Sequence, residues 1–228
     1  MAYNYSSFVS ALSTETGIPA TDANFLAVLP QIIDDAEQRI YRELDLVSTS
    51  VTVTGSVSAN NRIVAIPQGS GHIIVLDAIN VIDGSSIRHP VTPATRESVD
   101  FCYPSTVAPS TPSYPSIFAR IDDTNILVGP SADQAYSAEF VGTIRPTPLS
   151  NTNTTTFLTS YLSDLFFAAA MVSAAAYMRN FGAMADDPKM ATTWKSEYQD
   201  KLASARTEEL RKSYVTSMSR TPAASKDA

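Results

Sequence analysis

With 228 residues, 44% of them apolar and 17% charged, the chain has a globular composition and enough material for one domain or two small ones. Its formal charge of −7 argues against a domain whose main task is gripping nucleic acid, because such a domain carries a basic face. The single cysteine, Cys102, excludes an intrachain disulfide.

The opening stretch MAYNYSSFVSALSTETG lacks the basic start and long apolar run of a signal peptide. Tyr5, Phe8, Val9 and Leu12 predict a short amphipathic helix that ends at Gly17-Ile18-Pro19. Thr21 and Asp22 are candidate N-caps for a second helix, with Pro30 expected to restart or kink it. Beyond Pro30, Ile32, Ala36, Ile40 and Leu44 recur every four residues and Ile33 widens the stripe. Asp34, Asp35 and Glu37 are read as solvated acids on or near the opposite face.

The period changes at Ser48. STSVTVTGSV alternates as a strand does, Asn60-Asn61 suggests a turn, and RIVAIP follows as a partner strand. HIIVLDAINVI (72–82) reads as a strand ending at Asp83-Gly84. A helical piece capped by Thr95 comes next, then an extended loop at 104–115 with four prolines. SIFARID, TNILVGP and YSAEFVGTIRP complete the β-rich part.

After a polar linker at 146–156, helical character returns. Fourteen uncharged residues, Leu165–Met178, are too few for a membrane span of about 20 residues. They read instead as a helix buried on all sides, and four helices in one monomer offer few walls to surround it. Contact with other copies is therefore the expectation for Phe166, Phe167, Ala170, Ala174 and Tyr177. Asp187-Pro188 starts a last helix, with Asp as cap and Pro at the first helical position. Ala191, Trp194, Tyr198, Leu202 and Ala205 line one face of it, and Glu197–Lys201 and Glu208–Lys212 are spaced for ion pairs. Residues from about 220 onward read as frayed.

The fold expectation is α+β: a helical bundle built from N- and C-terminal helices, with an inserted β-rich lobe and a long C-terminal arm helix. Its parts are 1–47, 48–145, 146–186 and 187–228. Catalytic chemistry finds little support. The flanks of Cys102, His72 and His89 resemble neither a nucleophile elbow nor a papain-type signature, two histidines make a poor metal set, and Gly69-Ser70-Gly71 lacks the rest of a phosphate loop. No catalytic, metal or cofactor-binding residue is assigned.

Three blocks carry a resemblance. VLPQIIDDAEQRIYRELDL (28–46), VGTIRPTPLSNTNTTTFLTSYLSDLF (141–166) and YMRNFGAMADDPKMATTWKSEYQ (177–199) resemble the adaptor proteins at the head-to-tail junction of short-tailed bacteriophages. The resemblance implies a non-enzymatic virion protein, assembled in the host bacterial cytoplasm and without membrane insertion. It implies a dodecameric ring beneath the portal, with a tail nozzle below and genomic DNA passing through the channel. A C-terminal helix would embrace the portal, with Trp194, Tyr198, Leu202, Arg206, Arg211, Lys212 and Tyr214 as candidate contacts. The same apolar face could equally pack on the chain's own bundle. Two other readings stand beside it: a tail-tube or tail-completion protein without portal contact, and a virion-associated hydrolase.

Overall fold

The computed structural model describes residues 2–105, 107, 113–178 and 188–218. The chain divides into two compact units: residues 1–48 with 148–228, and residues 49–147. The first is helical and the second holds a seven-stranded sheet and one short helix.

In the helical unit, α1 (Tyr5–Thr16) starts at a capping box in which Asn4 Oδ1 accepts from Ser7 N, and it stops at Gly17 in the left-handed conformation. Helix α2 (Ala23–Glu43) is capped by Asp22, which accepts from Phe25 N. It continues past Pro30 as one helix, so of the expected restart or kink the restart does not occur. Both Pro30 and Leu26, whose carbonyl would have taken the missing bond, are exposed, so the gap in the ladder faces solvent. Helix α4 (Phe157–Tyr161) ends at Leu162, and α5 (Ser163–Met178) follows at once. Helix α6 (Pro188–Met218) has proline at its first position; the Asp187 cap and the tail from 219 lie outside the described residues. One hydrophobic cluster joins α1, α2, α4, α5 and α6, with Phe8, Leu12, Leu29, Ile33, Ile40, Leu158, Phe166 and Ala168–Ala170 at its centre.

The sheet comprises β1 (Ser50–Val57), β2 (Ile63–Ala65), β3 (Gly71–Ile82), β4 (Arg88–Pro93), β5 (Ile117–Arg120), β6 (Asn125–Gly129) and β7 (Tyr136–Pro146), in the spatial order β1-β7-β3-β4-β5-β6-β2. All pairs are antiparallel except β4–β5. That parallel pair is joined through α3 (Arg96–Cys102), as a crossover requires. Residues from both outer strands, Val57 of β1 and Val64 of β2, share one core with Phe140, Ile79 and Val128, so the sheet curls on itself. Val99 of α3 covers the opposite face of β5 and β6 at Ala119 and Leu127, which explains why these two strands are buried on both sides.

The curl is set locally. Two register shifts on β3, at Ile74 and Asp77, give it two extra residues against β7 and increase the local twist. Arg120 holds this irregular stretch by donating to the carbonyls of Ile74 (2.5 Å) and Ile73 (3.4 Å). Gly142 of β7 sits where the bulged strand comes closest. A Cβ there would collide with the Val75 carbonyl oxygen and stand 3.2 Å from Ile73 Cγ2. Gly142→Ala is therefore expected to destabilise the lobe by about 1–3 kcal/mol. Faster amide exchange in β3 and β7 would report it. Gly84→Ala, with nothing within 4 Å, should leave exchange unchanged.

Candidate interaction surface

Helix α6 changes character along its length. Tyr198, Leu202, Ala205 and Glu209 are buried in the chain's own helical unit, at spacings of three and four residues. Trp194 is half-buried edge-on to Phe167, with centroids 6.0 Å apart. The Tyr198 hydroxyl donates to Glu43 Oε2 at 3.1 Å, and Arg39 lies 5.7 Å over its ring. Burial, reinforced by the Glu43 charge, pushes the Tyr198 phenol well above its usual range. Arg206 donates twice to the Glu43 carbonyl, at 3.0 and 3.3 Å, closing the C-terminal end of α2. Five of the seven residues singled out on this helix thus contact their own chain, since Lys212 Nζ also lies 5.7 Å over the Phe157 ring of α4.

Past Glu209 the helix turns outward. Leu210 is 69% and Tyr214 63% exposed. With Thr207, Arg211 and Ser213 they line one shallow groove that is mostly apolar. Arg211 is exposed and has no ion pair among the described residues. Lys212 is held by Glu208 at 2.8 Å and Glu209 at 2.7 Å, which raise its pKa.

The small-residue helix α5 is enclosed by the chain alone over most of its surface. Phe166, Ala170 and Ala174 are buried, while Phe167 and Tyr177 are half-buried. Phe166 stacks on Phe8 with centroids 4.5 Å apart, and Tyr3 and Phe167 extend the aromatic group. Only Phe167 and Tyr177 of the five named on α5 keep side-chain area for a neighbouring copy.

Two acids were missed or misplaced by the sequence. Glu37, read as a solvated residue, is 2% exposed and accepts the Leu149 N–H at 3.2 Å. Glu209, also buried, accepts the Val47 N–H at 3.0 Å. Val47 and Leu149 flank the two places where the chain passes between its units, so each crossing segment is anchored to the helical unit by one carboxylate. For Glu37, burial with a contribution from the Asp34 charge outweighs the Leu149 hydrogen bond and raises the pKa to about 7.

The other chemical candidates stay apart. Cys102 is exposed and bonds to neither histidine. His72 Nδ1 meets Gln68 at 2.9 Å, and His89 Nε2 meets Asp83 at 3.0 Å beneath Tyr114. Among the described residues no group of three or more His, Cys, Asp or Glu side chains could hold a metal, and no helix is long and apolar enough to cross a membrane.

A family model described as SU10 adaptor protein matches residues 3–223. None of the curated proteins matches the chain.

Proposed function

We propose, on the premise that the chain belongs to the SU10 adaptor protein family, that this phage adaptor, a structural component of the virion, joins the portal of the head to the tail nozzle of a short-tailed phage. The match over nearly the whole chain carries the reading. In the proposal, copies form a ring, with twelve as the expected number, through which the genome leaves. The net charge of −7 suits such a wall, because a negative surface does not retain DNA. The protein carries out no catalysis and enters no membrane. It is assembled in the host cytoplasm and resides at the head-to-tail interface.

The exposed face of α6 is the candidate portal contact. Leu210 and Tyr214 supply apolar anchors and Arg211 a cation, and anchors of this kind dominate interface energies. Trp194, Tyr198, Leu202 and Arg206 support that face from within, by fixing α6 to α2 and α5. Phe167 and Tyr177 of α5 are the corresponding candidates for contact between copies. Truncating α6 would remove core residues, so point substitutions are the cleaner test. Leu210→Asp with Tyr214→Asp should weaken binding to the purified portal protein of the same phage at least tenfold, with unchanged circular dichroism. A double variant that binds as well as wild type would exclude this face.

A further inference from the structure

We infer that the free protein forms a two-fold dimer by antiparallel pairing of β1 with β1 of a second copy. This goes beyond the adaptor reading and does not depend on it. Strand β1 is the outer strand at one end of the sheet, with only β7 beside it. In an antiparallel ladder half of its N–H and C=O groups therefore point away from β7. Among the described residues no hydrogen bond reaches them: the segment after β2 brings Pro67 and Gly69 against the inner side of β1 at Gly55 and Val53 without bonding to its backbone.

The two ends of the sheet are managed differently. Strand β2 is three residues long, its Ile63 N–H is taken by Asn61 Oδ1 at 3.0 Å, and Pro67 soon follows. Strand β1 is eight residues long and carries no charge, no proline and no bulge. Edge strands of monomeric proteins usually carry such protection. Beneath the unprotected edge, Val51 and Val53 are packed on the lobe core but only partly covered.

The sequence of β1 names the occupant. Read outward from Val53, Ser50-Val51-Thr52-Val53-Thr54-Gly55-Ser56 is the same in both directions except for Val51 against Gly55. A two-fold axis through Val53 places Thr52 opposite the partner's Thr54 and Ser50 opposite the partner's Ser56, all on the outer face. On the inner face Val53 meets Val53, and Val51 meets Gly55, over which Phe140 and Pro67 of the same copy already pack. Residues opposite one another in an antiparallel pair share a face, so the register keeps every polar side chain outside. Thr–Thr pairs across strands are favourable and no like charges meet. The contact is isologous and closes at two copies. It cannot be repeated around a ring of one polarity, so it belongs to the free protein and competes with ring assembly.

The test is mass by light scattering and sedimentation on the full chain, at micromolar concentrations and without portal. Thr52 and Thr54 are exposed, so the fold should tolerate charges there, and circular dichroism would check it. T52K/T54K sets lysine opposite lysine twice, whereas T52E/T54K sets glutamate opposite lysine twice. Wild type and T52E/T54K should weigh two chains. T52K/T54K should weigh one, with a dissociation constant raised at least tenfold and partly restored by salt. A wild-type mass of one chain or of more than two, or a T52K/T54K variant as dimeric as wild type, would overturn the proposal. Its failure leaves the adaptor reading untouched, because no partner protein enters the experiment.

Discussion

Replacing Phe166 by alanine is expected to destabilise the helical unit by about 3–5 kcal/mol, the range for removing a fully buried aromatic ring. The ring has no exposed surface and lies nearly parallel to Phe8, with an interplanar angle of 13°. One turn further along α5, Ala169 and Ala170 have side chains too short to fill the void. Trp194 is the only tryptophan and packs on Phe167, so its fluorescence reports unfolding of this unit. Phe167→Ala, at a half-buried site, should cost less. An unfolding midpoint unchanged in Phe166→Ala would mean that α5 is not enclosed by its own chain.

Exchanging Glu37 for glutamine should remove a pH dependence of stability. The folded pKa is about 7 against an ordinary 4.5. Below about 4.5 the carboxyl is protonated in both states and its contribution is complete. As pH rises from 4.5 to 7 the unfolded chain ionises first and stability falls, and above 7 the loss is finished. A shift of this size corresponds to about 3 kcal/mol. In Glu37→Gln the amide oxygen can still accept the Leu149 N–H, so the variant should match wild type near pH 4 and exceed it near pH 8. Urea unfolding at the two pH values decides the matter. A variant less stable than wild type at pH 8 would show that Leu149 needs the charged carboxylate. The same burial, together with the Glu37 charge, raises the Tyr41 phenol above its usual range.

What could be read in advance depended on whether neighbours in sequence were also neighbours in space. The four-residue stripe Ile32, Ala36, Ile40 and Leu44 is buried throughout, because helical periodicity is a local property. The alternation in β1 likewise fixed which side chains face the lobe core. Strand β4 was not visible, since Arg88–Pro93 carries two prolines and a histidine and becomes a strand only by pairing with β3 and β5. The curl of the sheet rests on bulges at Ile74 and Asp77 inside an apolar run that has no alternation to betray them. Glu37 had a readable signal: it lies four residues after Ile33 and three before Ile40, inside the apolar stripe. Its partner is 112 residues away in sequence, so the reason for its burial was not local. On α6 the amphipathic face was legible, but periodicity cannot say whose core a face joins; Tyr198 and Leu202 join their own, whereas Leu210 and Tyr214 do not.

The central claim is that this adaptor works by assembly with the portal, and mass determination by light scattering tests it most directly. The protein would be weighed alone, then mixed with the purified portal of the same phage. Whatever the mass of the free protein, the account predicts a large complex of fixed stoichiometry with the portal. A free protein whose mass does not change when the portal is added would contradict it.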